Sequence, residues 1–333
     1  LNQKINSAIA VASANIALIK YWGKRDAVLN LPAVGSISLT LEALRTKTKV
    51  TYKQDLSQDQ LIINNMEAPE KQRIRVQTFL DLIRKESGFR QFAEVISENN
   101  FPTGAGLASS ASAFAALSMA ATRASGQKLN KNKLSQLSRI GSGSAARSIF
   151  GGFVEMKKGT DPLGKEDFAV KLAPENYWDL RVIILITSLK EKIIGSTEAM
   201  NLTAKTSPYY KNWVNSSDRD LEEMKTAIRT RDFEKLGDLA EYSALKMHAL
   251  TLTSRPAIIY WNSTTLKLIA EVRAIRNKGI PVYFTIDAGP QVKIITLAEY
   301  ANTIKEHFLH FEDIQKCIES KLGPDVKLTG DNF

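Results

Sequence analysis

An α+β enzyme of two lobes is the fold class this sequence predicts, and three observations carry it. Apolar, strand-like runs interleave with segments of helical period in both halves of the chain. A glycine-rich turn opens an alanine-rich helix in the first half. The 333 residues, 44% hydrophobic and 24% charged, are enough for two packed lobes.

The elements follow in order. Ala8 to Ala14 is small and β-branched, reading as a buried strand that runs into the polar turn Asn15-Ile-Ala-Leu-Ile-Lys-Tyr-Trp-Gly. Ser36 to Leu41 alternates as a strand, and Lys47 to Tyr52 is expected to pair beside it. Glu70 to Ser87 has helical spacing through Val76, Phe79, Leu80 and Ile83. The segment Phe101-Pro-Thr-Gly-Ala-Gly-Leu-Ala-Ser-Ser-Ala-Ser leads into the helix former Ala113 to Ser125, closed by Gly126. A second helix near Asn132 to Arg139 is followed by a loop, Gly141-Ser-Gly-Ser-Ala-Ala-Arg-Ser.

Leu180 to Thr187 is an almost wholly apolar strand, and the lobe boundary is placed just before it, giving lobes 1–178 and 179–333. Helices are expected at Leu221 to Thr230, Phe233 to Leu250 and Thr264 to Lys278. Pro281 to Ile286 reads as a buried strand ending in Asp287-Ala-Gly-Pro, with Val292 to Leu297 as its partner.

Composition narrows the function. Cys317 is the single cysteine, and His248, His307 and His310 do not make a ligand set, so no protein-held transition metal is expected. Net charge is +10, from 45 Lys and Arg against 35 Asp and Glu, which favours anionic partners. The basic residues, such as Lys47, Lys49, Lys128, Lys131, Lys133, Arg229 and Arg231, are spread along the chain, arguing against a dedicated nucleic-acid binder. No apolar run is long enough to cross a bilayer, and Leu1 to Asn6 lacks the pattern of a secretory signal, so a cytoplasmic protein with no membrane partner is expected.

Four constellations bear on chemistry. Gly104 to Ser112 presents free N–H groups at a helix start, where Ser109, Ser110 and Ser112 add hydroxyls for phosphate or a Mg²⁺ shell; the same pattern also fits a well-capped helix. Gly159-Thr-Asp-Pro-Leu-Gly-Lys-Glu has P-loop spacing, but Glu166 replaces the needed hydroxyl, and a hairpin loop is expected instead. Arg147 follows small residues and hydroxyls, where its fork suits a carboxylate or phosphate, or a structural ion pair. Asp287 stands at a strand end, as a general base or as a turn-forming Asp.

Together these segments resemble the GHMP superfamily, whose phosphate loop Pro-x-x-x-Gly-Leu-x-Ser-Ser-Ala is matched at every defined position by Pro102 to Ala111. Within it the chain is most similar to the mevalonate diphosphate decarboxylases. Asn15 to Asp26, Leu29-Asn-Leu-Pro, Ser36 to Leu41, Ser97 to Thr103, Arg139 to Phe153 and Asp287-Ala-Gly-Pro occur in that family's order. The resemblance implies an N-terminal ribosomal-protein-S5-like lobe and a C-terminal ferredoxin-like lobe, with the active site in the cleft between them. It also implies a homodimer. The implied reaction uses ATP and Mg²⁺: the tertiary 3-hydroxyl of mevalonate 5-diphosphate is phosphorylated, phosphate leaves, and carbon dioxide is lost to give isopentenyl diphosphate.

Carried over residue by residue, the resemblance makes Asp287, Lys20 and Arg147 catalytic. It makes Asn15, Tyr21, Trp22, Lys24, Arg75, Ser142, Gly143, Ser144 and Thr197 substrate-binding. Pro102, Gly104, Ala105, Gly106, Leu107, Ala108, Ser109, Ser110 and Ser112 become the ATP loop. Val34 to Ser36, Thr197 and the tail from Leu322 depart from the family pattern. The alternatives are a decarboxylase of mevalonate 5-phosphate, one of a 3,5-bisphosphate, a mevalonate 3-kinase and a regulator that lost its chemistry. Lys20, Arg147 and Asp287 together, with an intact phosphate loop, favour the diphosphate enzyme.

Overall fold

The computed structural model describes residues 6–102, 109–190, 192 and 194–330. The expectations for Gly104, Ala105, Gly106, Leu107 and Ala108 therefore lie outside the described residues. In the first half the chain forms β1 (Ser7–Ile19), β2 (Lys24–Asp26), β3 (Leu31–Pro32), β4 (Ser36–Lys53), β5 (Gln60–Ile63), β6 (Met66–Glu67), α1 (Glu70–Ser87) and β7 (Phe92–Asn99). There follow α2 (Ser109–Ala124), α3 (Lys131–Gly141), a 3₁₀ helix (Gly143–Ile149), β8 (Phe153–Met156) and β9 (Ala169–Ala173). The second half adds β10 (Leu180–Ile186), α4 (Ser196–Thr206), α5 (Tyr210–Thr230), α6 (Phe233–Leu252), α7 (Ser263–Asn277), β11 (Val282–Ile286), β12 (Val292–Leu297), α8 (Ala298–Leu309), β13 (Lys316–Ser320) and β14 (Lys327–Thr329).

One sheet runs β14-β1-β4-β7-β5-β6, with β8 on the other part of β4 and β9 beyond it. Ser36 to Leu41 and Lys47 to Tyr52 are thus not neighbouring strands but two parts of β4, correcting the sequence expectation. No glycine or proline interrupts Glu42 to Thr46, and β1 pairs with both parts. The register slips between Ser13 and Asn15 and again between Ala17 and Ile19. Such bulges re-aim side chains at the end of a strand, and here that end holds Asn15 and Lys20. Helix α2 lies against this sheet through Ala111, Ala115, Ala116, Ala120 and Ala121, all buried, whose small side chains allow close approach.

The second sheet is antiparallel, ordered β11-β12-β10-β13. The wholly apolar β10 is explained by burial of both its faces: Val182, Ile184 and Ile186 pack with residues of β1 and β4, while Ile183 and Leu185 pack against α7 and α8. One core therefore joins the two sheets, and the residues between them are set by both. The last strand, β14, crosses back to pair with β1. Helix α5 begins at Tyr210, well before the expected Leu221, and α4 has no counterpart in the sequence reading. The segment 157–168 is the loop of the β8–β9 hairpin, as expected. The loop expected after α3 is instead the 3₁₀ helix that bears Arg147.

Candidate active site

The ends of β1 and β11 meet at the seam of the two sheets, and they bring Lys20 to Asp287. The Lys20 Nζ donates to Asp287 Oδ1 at 2.6 Å and to the Ala17 carbonyl at 2.9 Å. Its backbone N–H donates to Ser243 Oγ on α6 at 2.9 Å. Thr285 ties β11 to the same Ala17 carbonyl at 3.3 Å. On the other side of the carboxylate, Lys293 Nζ lies 3.3 Å from Asp287 Oδ2. Lys20 and Lys293 are buried, whereas 23% of the Asp287 side chain stays exposed.

The charges respond to this packing. Burial pulls the Lys20 ammonium down to about 8, against the opposing pull of Asp287. Burial alone would raise the Asp287 carboxyl, but Lys20 and Lys293 outweigh it and hold the group well below the usual carboxylate range. Asp287 is therefore an anion throughout the neutral range.

Arg147 is the third member. It is buried, and its guanidinium donates to Ser36 Oγ at 2.7 Å and to Asn15 Oδ1 at 3.1 and 3.3 Å. All of these partners are neutral, and burial lowers it to about 10. Asn15 is held in turn by donating to Ser148 Oγ at 2.7 Å and the Ser144 carbonyl at 3.1 Å. A buried cation with only neutral partners is poised to take an anionic ligand. Tyr21 lies beside it, with its hydroxyl buried and without a partner among the described residues. A Cβ on Gly143 would sit 2.3 Å from that hydroxyl oxygen, so Gly143 gives the ring its room.

Ser142 joins this group to the start of α2: its Oγ lies 3.3 Å from Ser110 Oγ and 3.4 Å from Ser144 Oγ. A cavity of about 310 Å³ opens nearby, lined by Lys24, Asn30, Arg75, Gly141 and Thr197. Lys24 donates to Thr197 Oγ1 at 3.3 Å, and Arg75 to the Gly141 carbonyl at 2.7 Å while stacking on Phe114. Burial and the neighbouring Arg75 draw Lys24 down to about 8, and burial lowers Arg75. Two cations face this cavity with only neutral hydrogen-bond partners among the described residues, a fit for multiple negative charges.

A second cavity, of about 470 Å³, lies between the β5–β7 side of the first sheet and helices α1 and α2. Leu61, Ile63, Val95 and Leu117 give it apolar walls, and Ser109, Ser110 and Arg75 also line it. Arg75 thus faces both cavities. The apolar part of this lining has no signature in the sequence, because Leu61, Ile63, Val95 and Leu117 are scattered over β5, β7 and α2 with no shared motif.

Not every expected site residue faces a cavity. Ser112 is turned into the sheet, with its Oγ 2.7 Å from Thr46 Oγ1, so Ser109 and Ser110 are the serines of that loop which line one. Trp22 is packed among Ala199, Met200 and Trp213, and its indole donates to Thr203 at 2.9 Å. Pro102 is half-buried just before the undescribed loop. Residues absent from the sequence reading are Lys293 and Lys192, whose Nζ donates to Ser196 Oγ at 2.9 Å. The signal for Lys293 was present: it interrupts the otherwise apolar start of Val292-Lys-Ile-Ile.

No helix among the described residues is long and apolar enough to cross a membrane. A family model for the diphosphomevalonate decarboxylase-like N-terminal domain matches residues 12–169, and one for the mevalonate 5-diphosphate decarboxylase C-terminal domain matches residues 182–328. The chain is 39% identical to diphosphomevalonate decarboxylase of Candida albicans, covering 98% of this chain and 99% of the relative. Its fold is similar to mevalonate diphosphate decarboxylase from Staphylococcus aureus, with TM-score 0.92, 40% identity and coverage of 97% and 98%. It is equally similar to MDDEF in complex with MVAPP, AMPPCP and magnesium, with TM-score 0.91, 41% identity and coverage of 97% and 98%.

Proposed function

The chain belongs to the diphosphomevalonate decarboxylase family, and on that premise we propose that Lys20, Arg147 and Asp287 carry out ATP-dependent decarboxylation of mevalonate 5-diphosphate. The products are isopentenyl diphosphate, ADP, phosphate and carbon dioxide. The observation that supports these roles most is the pairing of an ionised Asp287, locked by two lysines, with a buried Arg147 whose hydrogen-bond partners among the described residues are neutral.

In this reading each group has its own work. Lys24 and Arg75 take the diphosphate in the first cavity, with Thr197 holding Lys24 in place. Arg147, with Asn15, Ser142, Ser144 and Tyr21 around it, takes the carboxylate. Asp287 accepts a hydrogen bond from the 3-hydroxyl and aims its oxygen at the terminal phosphorus of ATP. Its low proton affinity means it receives the proton only as the O–P bond forms and the hydroxyl becomes acidic. The C–O bond then breaks with its electrons leaving on phosphate, and the C–C bond to the carboxylate supplies electrons to the cationic carbon as carbon dioxide departs. Lys20 offsets charge on the leaving phosphate from a site shielded from water.

ATP fits the second cavity, with apolar walls for the base and Ser109 and Ser110 for phosphate oxygens. Mg²⁺ accompanying the nucleotide supplies charge neutralisation at those oxygens. Hydroxyl donors suit a hard cation of this kind, and no cluster of three His, Cys, Asp or Glu side chains suited to a metal occurs among the described residues. Family membership also leads us to place the enzyme in the cytoplasm as a homodimer; light scattering giving the mass of a single chain at micromolar concentration would refute the dimer.

The direct test supplies Mg²⁺-ATP with either mevalonate 5-diphosphate or 5-phosphate and follows ADP and carbon dioxide together. Equal amounts of both from the diphosphate are expected. ADP without carbon dioxide would make it a kinase, and turnover of the monophosphate alone would reassign the substrate.

A pH profile checks the charge assignments. With Lys20 at about 8, kcat should hold below that pH and decline as pH rises through it, because the cation is lost. Lys20→Arg should remove this basic limb from kcat even while lowering the rate. Lys24→Arg should instead move the limb of kcat/KM, since Lys24, also at about 8, acts in binding. A basic limb unchanged in both variants would refute both assignments.

A further inference from the structure

Lys293 is a charged residue in the interior of a strand buried on both faces. Its neighbours Val292 and Ile294 point into the core under α7 and α8. Lys293 takes the opposite face of β12, as do Thr285 and Tyr283 opposite it on β11, and this is the face turned towards β1. It is fully buried within the sheet, and its Nζ lies 3.3 Å from Asp287 Oδ2. Taking an ammonium out of water is costly by several kcal/mol, and an aliphatic residue of that length would fit the strand without this cost. Its ion-pair partner is the carboxylate that faces the site.

We propose that Lys293 is a positioning residue for Asp287: from its place within β12 it holds the Oδ2 oxygen while Lys20 holds Oδ1, so that the carboxylate meets the substrate hydroxyl in one fixed orientation and always as an anion. This rests on the reading of Asp287 as the group that receives the 3-hydroxyl proton.

The two lysines have different duties. Lys20 stands at the end of β1 and is part of the seam; Lys293 is anchored in the middle of the second sheet and moves only with it. The hairpin is itself fixed, because Gln291 accepts from the Thr187 backbone N–H at 2.6 Å and donates to the Ser188 carbonyl at 2.6 Å. The other charged or titratable groups facing Asp287 are Arg147 on the 3₁₀ helix, Lys192 after β10 and His248 on α6. His248 is buried and held neutral, drawn down to about 3 by burial and by Lys20, and it bonds the Ile286 carbonyl. It therefore adds no charge of its own at neutral pH.

The test compares the full-length wild type with Lys293→Met, Lys293→Arg, Asp287→Asn and the Asp287→Asn/Lys293→Met double variant, measuring kcat, KM and thermal melting from about pH 5 to about pH 10. Lys293→Met should lower kcat by about 10²-fold with KM for either substrate within about threefold. Its kcat should also acquire an acid limb that the wild type lacks in this range, because Asp287 regains proton affinity. Its melting temperature should not fall, and Lys293→Arg should restore the flat acid side.

In the Asp287→Asn background the same change should bring no further loss, since a residue acting through the carboxylate has nothing left to position. The inference is overturned if Lys293→Met keeps the wild-type acid side, if it costs as much in the Asp287→Asn background, or if both Lys293 variants fail to fold. A fully active Asp287→Asn variant would sink the reading of Asp287 itself, and this inference with it. An inactive Asp287→Asn beside an unaffected Lys293→Met would sink this inference alone.

Discussion

Asp287→Asn should lower kcat by about 10³- to 10⁴-fold while ATP still binds with nearly wild-type affinity. The amide keeps the size of the side chain but removes the charge that Lys20 and Lys293 both address. It can neither receive the hydroxyl proton nor balance two buried ammonium groups, which then face each other across a neutral residue. The variant should therefore also melt earlier, because breaking a buried ion pair on one side leaves uncompensated charge. ATP binding is spared because the second cavity is built by β5, β7, α1 and α2, away from the β11–β12 hairpin. Titration of a fluorescent ATP analogue checks the binding and single-turnover carbon dioxide release checks the rate. A rate within tenfold of wild type would refute the role of Asp287.

Arg147→Met should cost about 10³-fold in kcat/KM, with carbon dioxide release falling at least as far as ADP release. Its guanidinium is fixed by Asn15 and Ser36, so in the proposed role the carboxylate would be met by a donor already in place. The stability effect should have the opposite sign to that of Asp287→Asn. Because Arg147 is buried against neutral partners, replacing it by an apolar side chain should leave melting unchanged or raise it. Arg147→Lys should recover little, since an ammonium cannot reproduce the planar fork that bonds Asn15 and Ser36 together. Near-normal decarboxylation by Arg147→Met would show that the carboxylate is held elsewhere.

These opposite stability effects come from the same seam between two sheets. Each of the three proposed catalytic groups arrives at the end of an element or just after one: Lys20 after β1, Asp287 after β11, and Arg147 on the 3₁₀ helix after α3. Because one core is continuous across β1, β4 and β10, the groups are held by packing on both sides rather than by a hinge between independent lobes.

Much of this was legible from local pattern. The helices α1, α6 and α7 follow from apolar periodicity, α2 from its run of helix-forming alanines, and the strands β10, β11 and β12 from short apolar runs that are buried on both faces. The two parts of β4 were separable by pattern but not by partner: whether successive alternating runs fold back or continue depends on β1, which pairs with both. Helix α4 was missed because Ser196-Thr-Glu-Ala-Met-Asn-Leu-Thr has a weak apolar stripe; it is held by Trp22, whose indole bonds Thr203.

The chemically armed segments are already visible in the linear chain: the lysine after the first strand, the serine-rich helix start, the arginine after small residues, and the aspartate at a strand end. Their residue types and neighbours are local, so a linear pattern records them. Which charges meet is settled by packing. Lys293 reaches Asp287 because the hairpin folds it back beside β11; Ser112 turns to Thr46 because α2 rotates it to the sheet; Arg75 lines two cavities because α1 lies between them. A charge's effect falls with distance and rises with burial, and both are set when distant segments pack together.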